Sequence, residues 1–266
     1  MEVIILRFSH LAEQIFQNLN NEGLAKCRES GSLWQTFIDQ RNYPWIRIVN
    51  IPTILPLGWT YLHLAVRTDQ IDMVGEIMKN SDKFGIDLNV KDSDLGLTAF
   101  HHACALGRVK IAEIFIDNYL DLNIELNSKT NTEAKTSFDL ACMFGQTKIA
   151  EILIKNWQNI KMDLNSKNHH AETPFHFICS ANYFNIFEMM ISNSNFFNFD
   201  YAAKDDQKQT GFHRACYFGC KEVVELIIRN SKSFDFDLTA QDWNGETGFQ
   251  LANKCGYSNI FGFNQG

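Results

Sequence analysis

Six threonines open matching blocks along this 266-residue chain: Thr60, Thr98, Thr136, Thr173, Thr210 and Thr247, spaced 38, 38, 37, 37 and 37 residues apart. Self-similarity at such a period marks an array in which each unit buries its apolar face only against its neighbours. The period therefore argues against one central core and predicts a stack of short, similar units.

The blocks read Thr60-Tyr-Leu-His63-Leu-Ala65, Thr98-Ala-Phe-His101-His-Ala103, Thr136-Ser-Phe-Asp139-Leu-Ala141, Thr173-Pro-Phe-His176-Phe-Ile178, Thr210-Gly-Phe-His213-Arg-Ala215 and Thr247-Gly-Phe-Gln250-Leu-Ala252. Gly107, Gly145, Gly219 and Gly256 each follow their threonine by nine residues, where a short helix must stop and turn back. The pairs Met73/Ile77, Ile111/Phe115, Ile149/Leu153, Ile186/Met190 and Val223/Ile227 hold offsets 13 and 17, one apolar face of a second helix. Each of these five blocks then reaches a polar segment: Asp87-Leu-Asn89, Asp121-Leu-Asn123, Asp163-Leu-Asn165, Asp200-Tyr201 or Asp237-Leu-Thr239. Two antiparallel helices and a projecting hairpin per block are expected.

These blocks resemble degenerate copies of the ankyrin motif T-P-L-H-x-A over roughly residues 58–264. The resemblance implies an all-α ankyrin-repeat solenoid of six repeats, 58–95, 96–133, 134–170, 171–207, 208–244 and an incomplete 245–266. It also implies that the histidines tie neighbouring units by hydrogen bonds. The period departs from the usual unit of about 33 residues. Most blocks add residues between the second helix and the Asp-Leu-Asn segment, as at Asn230 to Phe234, which predicts a longer second helix or a wider outer loop. Block two instead lengthens its hairpin tip, Asn127 to Lys135.

With 31 acidic against 24 basic side chains the net charge is −7, and no run of Lys or Arg forms a phosphate-tracking stripe, so nucleic acid is not the expected partner. The apolar run Val3 to Leu6 is too short for a signal-peptide core, and no 18 consecutive residues are apolar. The expectation is a soluble protein with no membrane partner, cytoplasmic or nuclear. Cys104, Cys142, Cys179 and Cys216 share offset six and His63, His101, His176 and His213 share offset three, so they recur because the repeat recurs. Packed helices lie about 8–10 Å apart, whereas zinc takes its ligands at about 2.0–2.3 Å. No metal site is read from them. No Gly-rich phosphate loop, nucleophile elbow or HExxH is present, so no catalytic residue and no cofactor is expected.

Residues 1–40 do not follow the repeat. Leu11, Ile15, Phe16 and Leu19 form a helical stripe, Asn20-Asn21-Glu22-Gly23 breaks it, and Leu24, Cys27, Trp34, Phe37 and Ile38 continue it. This run resembles the F-box, a motif of I-F-x-x-L followed by a leucine helix and a tryptophan. The resemblance implies that Leu11, Ile15, Phe16, Leu19, Leu24 and Trp34 bind a Skp-type adaptor and that the chain is the substrate-recognition subunit of a cullin-type (SCF) ubiquitin ligase. Arg7-Phe8 stand where the motif has Leu-Pro, His10 where it has glutamate, and Ser30 where it has valine. A small helical cap shielding the first repeat would suit the same residues, leaving a stand-alone ankyrin scaffold or inhibitor. Pro44, Pro52 and Pro56 make residues 41–57 an extended connector, with Trp45, Ile46, Ile48, Val49 and Ile51 to pack it down.

Ankyrin arrays bind proteins through hairpin tips and the concave face of the first helices. By that resemblance the partner-binding residues are Asp92, Asp94, His169, His170, Asp205 and Trp243 on the tips, with Met143 and Tyr217 on the first helices. The resemblance implies that the two positions before each helix-ending glycine are exposed, Met143 and Phe144, then Tyr217 and Phe218; the competing reading is that Leu106, Phe144 and Phe218, which share one register, pack between repeats. In block six, Gly262 and Asn264 leave a second helix of barely two turns, which should fray.

Overall fold

The computed structural model describes residues 58–84, 86–194 and 197–257. The unit expected over 1–40, with Leu11, Ile15, Phe16, Leu19, Leu24 and Trp34, lies outside the described residues, as do the connector and the second helix of block six. Among the described residues every regular element is a helix: α1 Tyr61–Arg67, α2 Ile71–Lys79, α3 Ser81–Phe84, α4 Ala99–Ala105, α5 Val109–Asn118, α6 Ser137–Met143, α7 Thr147–Ile160, α8 Pro174–Ser180, α9 Phe184–Ser192, α10 Gly211–Tyr217, α11 Lys221–Asn230 and α12 Gly248–Lys254. None of them is long and apolar enough to cross a membrane. The hairpins are tight turns with no paired strands among the described residues.

The block threonine starts each first helix. Thr60 is extended (φ −104°, ψ 168°), so its Oγ1 accepts the His63 N–H while His63 Nδ1 accepts the Thr60 N–H at 3.1 Å. The same reciprocal pair joins Thr98 to His101, Thr136 to Asp139, Thr173 to His176, Thr210 to His213 and Thr247 to Gln250. Such a cap contributes about 1 kcal/mol to a short helix. Each helix then ends on a left-handed residue: Gly107, Gly145, Gly219 and Gly256 as expected, with Asp69 and Asn182 standing in elsewhere. The amide one residue further on reaches back across the last turn, as from Gln146 to the Ala141 carbonyl at 2.8 Å, closing a Schellman turn that reverses the chain.

The described residues divide into two compact units, 58–102 with 113–125 and 103–112 with 126–257. In the first, α1 packs on α2 around Leu62, Ala65, Val66, Val74, Ile77 and Met78, and the Phe100 and Phe115 rings meet at 5.4 Å. Val74, not Met73, takes the buried offset here; the residue at offset 14 (Ala112, Ala150, Phe187, Val224) is buried in the other repeats too. In the second unit α6, α8, α10 and α12 pack in succession as one layer, and α7, α9 and α11 as another. Phe175, Phe187, Phe199, Tyr201 and Phe236 form a continuous aromatic cluster between them, with neighbouring rings 4.7–6.1 Å apart.

The residues beyond the usual period are absorbed in two ways. Repeat three lengthens its second helix to 14 residues, ending on left-handed Lys161, while repeats one, four and five use the one-turn helix α3 or an outer loop. Five asparagines at offset 20, Asn80, Asn118, Asn156, Asn193 and Asn230, donate Nδ2 to the carbonyl four residues back at 2.8–2.9 Å. All but Asn156 sit at or just past the end of the second helix, where carbonyls lack partners.

Candidate binding surface

The histidines are structural clasps. A carbonyl only accepts, so the 3.1 Å contact of His63 Nε2 with the Leu97 carbonyl fixes the ring proton on Nε2 and leaves Nδ1 as acceptor. His176 donates likewise to the Gln209 carbonyl at 3.0 Å, and His213 to that of Glu246 at 3.1 Å. In each case the acceptor immediately precedes the next block's threonine. Burial holds these imidazoles below their ordinary pKa and keeps them neutral. The offset-six cysteines are fully buried, and burial pushes their thiols up. Among the described residues no group of three or more His, Cys, Asp or Glu side chains converges as a metal site.

The tips are stitched to one another through main chain. His169 N–H donates to the Glu133 carbonyl at 2.9 Å, Asp206 N–H to that of His170 at 2.9 Å, and Trp243 N–H to that of Gln207 at 3.1 Å. His169 and His170 are exposed; His169 Nδ1 lies 3.0 Å from the Thr132 carbonyl and His170 Nδ1 3.4 Å from Asp206 Oδ2. Trp243 is 66% exposed, and Asp94 also faces solvent.

Asp92 and Asp205 require correction. Expected as partner-facing, they are only 3% and 5% exposed. Asp92 Oδ1 accepts the amides of Leu95, Gly96 and Leu97, and its Oδ2 lies 3.1 Å from His102 Nε2. Burial raises its pKa, but those amide bonds and His102 outweigh it and hold the carboxyl below its usual range. Asp205 accepts the Gln207 and Gln209 amides and is gripped by Arg214 at 2.6 Å, with Glu172 on the same guanidinium at 2.9 Å. Asp242 builds the same turn from the Asn244 and Glu246 amides. These carboxylates shape the tips from inside, because a turn of this tightness turns its amides inward and needs one acceptor for all of them.

On the first-helix face Met143 is half-buried, its Sδ 3.4 Å from Lys135 Nζ, which also sits over the Phe177 ring. Tyr217 is 49% exposed and its ring meets that of Phe218 at 5.0 Å. Of the two readings for Leu106, Phe144 and Phe218 the exposed one holds: they do not pack between repeats but stand about half exposed. Phe144 and Phe218 are C-cap residues of seven-residue helices, one step past the last turn that the neighbouring helix covers. The exposed apolar residues of this face are therefore Leu106, Phe144, Tyr217 and Phe218, flanked by Met143, with Ser180 and Ala181 at the same offsets in repeat four.

The Asp-Leu-Asn segments, although polar and on the outer loops, also serve the frame. Asn89 Nδ2 donates to the Asn123 carbonyl at 2.9 Å and its Oδ1 accepts the Glu125 amide at 2.8 Å; Asn165 does the same with Asn198 and Asp200 at 3.0 Å each. The asparagines at offset 20 and these clasps were readable as recurrences but carry no periodic apolar signal to mark them.

A family model described as ankyrin repeats in three copies matches residues 46–130 and 138–242, more than half of the chain. No curated protein matches it.

Proposed function

Because this chain belongs to the ankyrin-repeat family, whose repeats are protein-interaction modules, we propose that it captures a protein partner and delivers it to a ubiquitin ligase. Capture runs over the tip row and the first-helix row of the second unit, through Trp243, His169, His170, Met143, Phe144, Tyr217 and Phe218. The observation that carries this reading is the division of labour among side chains. Threonine, histidine, glycine, asparagine and the tip aspartates satisfy the frame's own hydrogen bonds, whereas Trp243, Tyr217 and Phe218 leave large apolar area in solvent that the frame does not use. In the first unit, taken by itself, Asp94 faces solvent on its own tip.

Delivery rests on the F-box resemblance of residues 11–34. The test is calorimetric titration of the full-length chain with a Skp-type adaptor, beside the double variant Ile15→Ala/Trp34→Ala. Binding that the double variant loses while keeping its helical signal supports the ligase-receptor reading. No binding by the folded wild-type chain sinks it and leaves the stand-alone interaction module, the reading that Arg7-Phe8 in place of Leu-Pro favours.

A further inference from the structure

Repeat three carries a carboxylate where its neighbours carry an imidazole. Asp139 Oδ2 accepts both the Thr136 N–H and the Thr136 hydroxyl at 2.7 Å, so the cap of α6 is kept and charge-assisted. Its Oδ1 is buried with no hydrogen-bond partner, and the residue as a whole is 0% exposed. In repeats one, four and five the imidazole spans to the carbonyl preceding the next threonine. The equivalent acceptor here is the Glu172 carbonyl, which receives the Asn168 N–H. A carboxylate is shorter than an imidazole, and when ionised it has no proton to give a carbonyl. Asp139 therefore strengthens the start of its own helix and hands nothing to repeat four.

We infer that the junction between repeats three and four is the opening seam of the second unit, and that proton uptake by Asp139 tightens it while the histidine-clasped junctions loosen. An ionised, buried and half-satisfied carboxylate is costly, and opening the seam hydrates it. Lys129 and Lys135 from the hairpin and Cys142 on its own helix are the titratable groups coupled to it. From α8 and its approach come His176, tied to Gln209, and Glu172, held by Arg214. Burial, the largest influence, raises the Asp139 carboxyl to about 6 against the Thr136 hydrogen bonds and the two lysines. A raised folded value means that its contribution is fully present below the ordinary carboxylate value and is lost as pH climbs through about 6. The neutral histidines carry the opposite sign.

The cysteines read the junctions one by one. A Cβ on Gly211 would lie 2.9 Å from Cys179 Sγ, and one on Gly248 3.3 Å from Cys216 Sγ, so each offset-six thiol faces the next repeat. Cys142 holds that position at the third–fourth junction, Cys104 at the second–third and Cys179 at the fourth–fifth. The full-length chain is pulsed with a thiosulfonate reagent under native conditions at about pH 8 and about pH 5.5, either side of the Asp139 value. Labelling is resolved by mass spectrometry and normalised to the unfolded chain. At the higher pH, Cys142 is expected to label about tenfold faster than Cys104 and Cys179, the scale of one unsatisfied buried group. At the lower pH, Cys142 protection rises while Cys179 protection falls. Asp139→His should bring Cys142 level with its neighbours, and Asp139→Asn should remove its pH response. Equal protection of the three thiols at the higher pH, or Cys142 protection that falls with pH as Cys179 protection does, overturns the inference. Both comparisons are made within the wild-type chain and hold whether or not the variants fold.

Discussion

Replacing His176 separates the two tasks that a block histidine performs. His176→Ala removes the Nδ1 acceptor of the Thr173 N–H at 3.1 Å and the Nε2 donor to the Gln209 carbonyl at 3.0 Å. The lost cap costs about 1 kcal/mol, the lost clasp about 1 kcal/mol, and the stranded polar groups with the cavity about 1–2 kcal/mol more. The total is about 3–4 kcal/mol. His176→Gln keeps the cap, since Gln250 shows a glutamine Oε1 accepting its threonine amide at 2.8 Å, and loses only the clasp, about 1 kcal/mol. Urea unfolding followed by far-ultraviolet circular dichroism measures both. With a slope of about 2 kcal/mol per molar, the midpoint should fall by about 1.5–2 M for alanine and about 0.5 M for glutamine. Equal shifts for the two variants, or an alanine loss below about 1 kcal/mol, would refute the separation of cap from clasp.

Acid should weaken the array through the same rings: His63, His176 and His213 are held neutral by burial, so stability is lost as pH falls below the ordinary imidazole value of about 6.5, and the His176→Gln urea midpoint should fall less steeply over that range than that of wild type. Asn165→Ala deletes both bonds to the Asn198 and Asp200 backbone and should cost about 1–2 kcal/mol in the same urea assay, whereas Asn156→Ala, with one bond inside α7, should cost about half that. Gly219→Ala combines φ +68° with a Cβ 2.9 Å from the Tyr257 ring and should lower the melting temperature more than Gly245→Ala, which has φ +74° but open space around it and is destabilised only by the added backbone strain, about 1 kcal/mol. Asp205→Ala should destabilise by about 2–3 kcal/mol, because it strands the Gln207 and Gln209 amides and half of the Arg214 partnership; a near-neutral result would mean that the tip does not depend on its internal acceptor.

The first helices were legible because threonine, histidine, cysteine and glycine recur at fixed offsets, and each recurrence corresponds to one bond or one buried contact. The ends of the second helices were not, because polar asparagines at offset 20 read as loop until their Nδ2 groups are seen on main-chain carbonyls. The surface was harder still. Asp92, Asp94, Asp205 and Asp206 look alike in a string of turn residues, and only the backbone decides which carboxylate folds inward over its own amides and which points away. Phe144 and Phe218 could be read as exposed or as packed for a related reason, since burial at a C-cap depends on where the last turn ends and apolar character alone does not fix that.

The main-chain bonds that run from tip to tip, Glu133 to His169, His170 to Asp206 and Gln207 to Trp243, have a consequence for how such a chain can change. None of them uses a side chain. Residues 169, 170, 206 and 243 can therefore be exchanged without unpicking the row that holds them, and recognition can be rewritten on a scaffold that does not register the edit. A library randomised at those four positions with proline excluded, since it lacks the donor N–H, and with Asn168, Asp205 and Asp242 left in place, should yield folded members at a rate set by the solubility of the tips and not by any bond of the row.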